Sequence, residues 1–190
     1  MTVKAIIFDC FGVLSVDPRT HIISKVAAPH RERLGELFNQ SDYGYLTTQE
    51  FVQQAAELTG MTSESFYEQN LGRYVRNDEL LELIRHLKKA YKIGLLSNAN
   101  DSVIDYLFTK DEAKELFDDI LVSSQVGMVK PQLALFELAA ARLGCTAKEC
   151  VMVDDLARNI EGAMQAGMQG VLFTSNEALA NELKKVGVGA

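Results

Sequence analysis

Tryptophan is absent from these 190 residues, and proline, cysteine and histidine occur three times each. An odd number of cysteines without paired spacing provides no disulfide framework and fits a reducing compartment, so a cytoplasmic location is expected. His21, His30 and His86 have no metal-ligand spacing and read as surface or cap residues. Basic residues are also scarce, 19 Lys and Arg against 26 Asp and Glu, and the net charge of -7 argues against a broad nucleic-acid footprint. No apolar run is long enough to span a bilayer. The opening MTVKAIIFDC has a lone lysine and no small-residue cleavage site, so it reads as a strand and not as a secretory signal. Neither a repeat nor a low-complexity segment is evident. What is present, 47% hydrophobic and 24% charged residues, suits one globular domain or a core with a modest insertion.

Val3 to Phe8 is a nearly continuous apolar run, as expected of a strand covered on both faces, and it ends abruptly at Asp9 before Gly12. The same form recurs from Tyr91 to Leu96 before Ser97-Asn98, from Ile120 to Val122 before Ser123-Ser124, and from Cys150 to Val153 before Asp154-Asp155. Gly170 to Phe173 closes the series. Helical periodicity lies between, over about Ser102 to Phe108, Gln132 to Leu143 and Asn159 to Ala166, with a last helix from about Asn176 to Val186. Alternation of this kind predicts an α/β fold, a Rossmann-like, doubly wound parallel sheet. Ligands bind such sheets outside the carboxyl ends of the strands, where the polar residues just named stand.

From about Ser15 to Lys88 the alternation stops. Helical patterns at Thr48 to Leu58, Ser63 to Leu71 and Asp78 to Leu87 follow one another without a convincing strand, as in a small inserted α-helical cap. Thr47 or Thr48, and Thr62 or Ser63, are candidate N-caps, with Gly60 and Gly72 as stops. The expected division is a core of residues 1–14 and 89–190 and a cap of residues 15–88. Tyr43, Tyr45 and Phe51 are expected in the cap core.

A carboxylate at the end of a buried strand is costly without a compensating cation, which singles out Asp9. Asp154 and Asp155 end a strand of the same type, and on a neighbouring strand their oxygens converge with Asp9 on one hard metal, for which Mg²⁺ is suited. Lys130 precedes Pro131, whose fixed φ suits a first helical turn, so its ammonium is expected in the same crevice, neutralising Asp9 and a bound phosphate. Ser97 offers a hydroxyl, and Asn98 an amide and a backbone N–H, for phosphate oxygens. The bland alternatives are a turn hydroxyl at Ser97, a helix cap at Asp154 or Asp155, and a solvated lysine at Lys130.

The segments FDCFGVL from Phe8, LLSNAN from Leu95, GMVKP from Gly127 and VMVDDLARNIEGAMQAGM from Val151 resemble, in order and separation, the four motifs of the haloacid dehalogenase superfamily. The likeness covers nearly the whole chain, including a helical cap after the first motif. It implies that Asp9 attacks phosphorus to form an aspartyl-phosphate that water then hydrolyses. It further implies Ser97 as the phosphate-binding hydroxyl, Lys130 as the charge clamp, and phosphate against Phe11, Gly12, Ser97, Asn98 and Lys130. Asp155 becomes the direct Mg²⁺ ligand, with Asp9, the backbone carbonyl of Phe11 and an assisting Asp154.

One position departs from the phosphatase pattern. The second residue after the nucleophile is usually an aspartate that protonates the leaving oxygen, and here it is Phe11; such a group is worth about 10²–10⁴-fold in rate. An aromatic there is similar to 2-haloacid dehalogenases, but these need no metal and usually lack the paired carboxylates kept here. The GYLTTQEF stretch resembles a sugar-phosphatase branch related to glucose-1-phosphatase, in which the acid is also replaced. The favoured expectation is a Mg²⁺-dependent phosphatase of a small phosphorylated metabolite, acting as a monomer or small homo-oligomer without membrane or nucleic acid. Dehalogenation with the same nucleophile, or a non-catalytic metal and phosphate-binding module, are the alternatives.

Overall fold

The computed structural model describes residues 2–71 and 74–189, so the helix stop expected at Gly72 lies outside the described residues. The first strand, β1, runs Ala5–Phe8 and alternates strictly: Ile6 and Phe8 enter one apolar cluster, Ala5 and Ile7 the other. Four helices follow, which we propose form the cap: α1 (Arg19–Lys25), α2 (Ala28–Asp42), α3 (Thr48–Thr59) and α4 (Ser63–Leu71). Of these, α3 starts with a reciprocal capping box, Thr47 with Glu50, and stops at left-handed Gly60. Thr62 Oγ1 accepts from Ser65 N at the start of α4. The cap has its own core of Leu34, Leu37, Phe38, Phe51, Ala55 and Phe66. Phe51 is buried in it as expected, whereas Tyr45 is 72% exposed and stacks on Tyr43, which faces a cavity instead.

The chain returns through α5 (Asp78–Leu87) to β2 (Lys92–Ser97), then α6 (Asp101–Leu107), α7 (Lys110–Leu116), β3 (Asp119–Val122) and the single turn α8 (Ser123–Val126). It finishes with α9 (Leu133–Arg142), β4 (Cys150–Asp154), α10 (Ala157–Gln165), β5 (Gln169–Leu172) and α11 (Asn176–Lys185). The sheet is parallel throughout, in the order β3-β2-β1-β4-β5, with helices on both faces. On one face α5, α6 and α11 cover Ile6, Phe8, Ile93, Val151 and Val153; on the other α9 and α10 cover Ala5, Ile7 and Met152. After β3 the chain jumps back across β1 to place β4, so the crevice between β1 and β4 is the switch point of the sheet.

Two features refine the boundaries read from sequence. Leu80, Leu81, Ile84 and Leu87 of α5 lie in the sheet-facing cluster and not in the cap core; on packing we therefore place the end of the cap before Asp78. Pro131 does not open a helix: Lys130-Pro131 is a cis peptide inside a turn closed by Gln132 N to Val129 O at 2.9 Å, and α9 starts two residues later. The two strands of chain that enter and leave the cap are paired, through Val16 N to Val75 O at 3.0 Å and Asn77 N to Leu14 O at 2.8 Å.

Candidate active site

Register places the carboxylates. Phe8 of β1 pairs with Val153 of β4, so the next residues, Asp9 and Asp154, emerge side by side at the carboxyl ends of adjacent strands. With Asp155 they form a group whose ligand oxygens lie within 4.8 Å of one another. Lys130 reaches this group from the turn before α9, its Nζ 2.6 Å from Asp9 Oδ1 and 2.7 Å from Asp154 Oδ2, with all three side chains almost fully buried. Three carboxylates therefore stand beside one ammonium, which pairs with two of them. Burial pushes the Asp9 carboxyl up to about 7, against the pull of Lys130 and with the help of Asp154. Burial works against the charge on Lys130 too, but Asp9 and Asp154 outweigh it and hold the ammonium more tightly than usual. Burial and then Asp154 also raise Asp155. The imbalance is what a site built around a further cation looks like.

The two carboxylates after β4 differ. Asp154 is saturated: Oδ1 accepts from Leu156 N and Asn159 Nδ2, both at 2.9 Å, and Oδ2 from Lys130 and from Asn159 Nδ2 at 3.0 Å. Asp155 Oδ1 is buried with no partner. Among the described residues four buried side-chain polar atoms lack a hydrogen bond, and three of them, Ser97 Oγ, Asp155 Oδ1 and Asn159 Oδ1, belong to this corner of the sheet. Orphaned acceptors beside Asp9, and an excess of negative charge, fit a hard cation, which Asp9 and Asp155 are placed to hold. Gly12, at φ +82°, lets the chain pass close: a Cβ there would collide with the Asp155 carboxylate.

Asn98 has a part that the sequence did not suggest. Its side-chain amide donates to Lys130 O at 3.1 Å and accepts from Lys130 N at 2.8 Å, so it braces the lysine. Ser97 Oγ, fully buried at the end of the strand beside β1, is the hydroxyl left without a partner. Cys10 is buried in the core behind Asp9, and its N–H donates to Asp9 Oδ1 at 2.6 Å. Phe11 is buried too, stacked on Tyr74 at 5.5 Å between ring centroids.

Sequence reasoning did not find the opposite wall. Arg19, on the first turn of α1, donates to both oxygens of Asp42 on α2 at 2.7 and 3.0 Å, and to Asn98 O in the core at 2.9 Å. Its guanidinium lies 5.2 Å from the ring centroids of both Phe11 and Phe38. Burial opposes the ionised forms of both partners; Asp42 is left raised by it, while the surrounding carboxylates keep Arg19 firmly protonated. Asn159 was also missed, although its place one turn into the helix after the paired carboxylates is a signal. Arg19 and Asp42 have none, being 23 residues apart on separate helices. Core and cap walls enclose a cavity of about 600 Å³ lined by Asp9, Lys130 and Asp155 below and by Asp17, Arg19 and Asp42 above, with Asn39 and Tyr43 at its side.

Comparison with known proteins agrees with this geometry. Residues 3–167 match the family described as haloacid dehalogenase-like hydrolase. A glyceraldehyde 3-phosphate phosphatase of Methanothermobacter thermautotrophicus is 32% identical over 109 residues, a match spanning 56% of this chain and about half, 48%, of that protein. A D-ribitol-5-phosphate phosphatase of Bacteroides thetaiotaomicron is 28% identical over 88% of this chain and 90% of its own. An (S)-2-haloacid dehalogenase of Burkholderia cepacia is 23% identical over 90% and 82%. A crystal structure of a HAD family enzyme from Bacteroides thetaiotaomicron, in complex with magnesium and inorganic phosphate, superposes with a TM-score of 0.77 at 22% identity, covering 92% of this chain and 96% of that one.

Proposed function

The chain belongs to the haloacid dehalogenase-like hydrolases, and from that membership we propose that it is a Mg²⁺-dependent phosphomonoester hydrolase of a small phosphorylated metabolite, working through Asp9. The observation that carries this reading is the corner where Ser97 Oγ and Asp155 Oδ1 lie buried and unpartnered on either side of the Asp9–Lys130 pair. A dianionic phosphate on a divalent cation supplies what each of these atoms lacks.

In this reading Asp9, Asp155 and the carbonyl of Phe11 hold the cation, which draws negative charge off the phosphoryl oxygens when bound. Asp9 attacks phosphorus, and Lys130, fixed by Asp154 and braced by Asn98, neutralises both the nucleophile and a phosphate oxygen. Ser97 donates to another oxygen. Asp154, with its oxygens already engaged, acts as the holder of Lys130 and Asn159 and not as a ligand. Gly12 gives phosphate and Asp155 their clearance.

The cavity supports a substrate of sugar-phosphate size, since Thr20, Asn39, Asp42 and Tyr43 present polar groups to whatever lies beyond the phosphate. Relatives named for glyceraldehyde 3-phosphate and ribitol 5-phosphate support the same class. The cysteines are free and, among the described residues, no helix is long and apolar enough to cross a membrane; we place the activity in the cytoplasm. The aromatic at position 11 gives no independent support to dehalogenation, because Phe11 is already employed in packing Tyr74 and Arg19.

The test is a panel of aryl, acyl, anomeric and alkyl phosphates with Mg²⁺ or EDTA, beside Asp9→Asn. Turnover that needs Mg²⁺ and falls by on the order of 10⁴-fold or more in the variant is expected. Silence on every ester, with halide released from a 2-haloacid in EDTA, would instead assign dehalogenation.

A further inference from the structure

We propose that Asp17, on the segment entering the cap, is the proton carrier of this reaction, giving its proton to the departing oxygen and recovering one from the attacking water. The proposal rests on the phosphatase reading above and supplies the group that Phe11 cannot.

Four carboxylates line the cavity: Asp9, Asp17, Asp42 and Asp155. Asp9 is the nucleophile, Asp155 stands in the cation cluster, and Asp42 is locked to Arg19 through both oxygens. Lys130 is held by two carboxylates. Asp17 alone of these has a face open to the cavity and no other assignment. Its Oδ1 accepts from Arg19 N at 2.8 Å and lies 3.8 Å from Arg19 Nε, while the side chain remains 35% exposed, enough to exchange a proton with water.

Arg19 also shows where that carboxylate stands. The guanidinium that Asp17 touches is the one that covers the Phe11 ring at 5.2 Å. The carboxylate absent from position 11 is thus found one guanidinium further out, on the cap side of the same cavity. Asp17 and Asp9 line the same cavity, and in this proposal the ester oxygen departs, and the water arrives, on the cap side that Asp17 lines.

Each step balances. Asp9 forms a bond to phosphorus as the P–O bond to the alcohol breaks, and the alcohol oxygen takes the proton of the Asp17 carboxyl. Water then bonds to phosphorus as the Asp9–phosphorus link breaks, and its proton passes to the Asp17 carboxylate. Phosphate and alcohol leave, and both aspartates are restored.

Asp17 also accepts from Arg19 N at the start of α1, and Asp17→Asn keeps that acceptor while removing the proton, so the two roles separate. The experiment is pre-steady-state hydrolysis of p-nitrophenyl phosphate with Mg²⁺ by the parent, Asp17→Asn and Asp17→Glu. Nitrophenolate leaves without an acid, whereas the water step needs the base. Asp17→Asn should therefore release a burst of nitrophenolate stoichiometric with enzyme and then turn over about 100-fold or more below the parent, and Asp17→Glu should recover turnover and lose the burst. Steady turnover by Asp17→Asn within a few-fold of the parent, or a slow rate without a burst, overturns the assignment to Asp17 and leaves the phosphatase reading standing. A parent that turns over no p-nitrophenyl phosphate overturns both.

Discussion

The floor and the roof of the cavity satisfy their charges in opposite ways. The floor, at the ends of β1, β2 and β4, sets three carboxylates against one ammonium and leaves buried oxygens without partners. The roof pairs Arg19 with Asp42 through two hydrogen bonds, and Nη2, one of the two nitrogens so engaged, also donates to Asn98 O. The floor is therefore complete only with something bound, whereas the roof is complete in itself and uses its charges to keep cap and core together. Buried charge marks a binding site when its ledger is open and a structural joint when it is closed.

The sharpest way to break this contrast is to remove the one cation of the floor. Lys130→Met leaves Asp9 and Asp154 buried and unpaired and should lower stability by about 3–5 kcal/mol, read from the urea midpoint, with Mg²⁺ recovering part of the loss. A loss under about 1 kcal/mol would mean that the floor is not short of positive charge. On the roof, Arg19→Leu keeps most of the apolar stem but strands Asp42. Because Arg19 is partly exposed, a smaller cost of about 2 kcal/mol is expected, with amide exchange accelerated through α1 and α2 and unchanged in β1 and β4. Exchange that rises equally in both regions would show that the pair does not act as a local joint.

The smallest effect is on pH. Asp9 has its folded value raised to about 7 from 3.8, so in the ion-free protein its contribution to stability is complete below 3.8 and is lost as pH rises through about 7. Mg²⁺ binds the ionised form. The rise in melting temperature that millimolar Mg²⁺ produces should be larger near about pH 8 than near about pH 5.5, by roughly 1 kcal/mol in stability. An equal rise at both values would remove Asp9 from the ligand set.

The contrast also explains what the sequence revealed. The floor was legible because strands covered on both faces make unbroken apolar runs, and each run ends where Asp9, Ser97 or Asp154 begins; adjacency of β1 and β4 then brings the ends together. The bracing part of Asn98 was not legible because an amide that hydrogen-bonds backbone looks, in one dimension, the same as one that awaits a ligand. The roof was illegible for a different reason. Arg19, Phe38 and Asp42 meet through the packing of two helices in a region whose periodicity was too weak to locate α1 and α2, and a pair joined only by tertiary contact leaves no spacing to read. We place the end of the cap earlier than the sequence suggested because the apolar stripe of α5 says that it is buried and not which core buries it.

The seam between cap and core has a further consequence. Ser123 Oγ donates to Asp42 O at 2.6 Å and accepts from Ala99 N at 3.0 Å, joining the end of α2 to the loop that follows Ser97, and next to it Gly44 runs so close to Ser124 O that a Cβ would collide with it. At this post the backbones nearly touch, so size cannot be added to either side. Thr20 and Asn39 face the cavity from helices that the post merely supports. The fold thereby separates the residues that an engineer or a lineage can exchange to retarget the enzyme from the one seam that must be left alone while doing so.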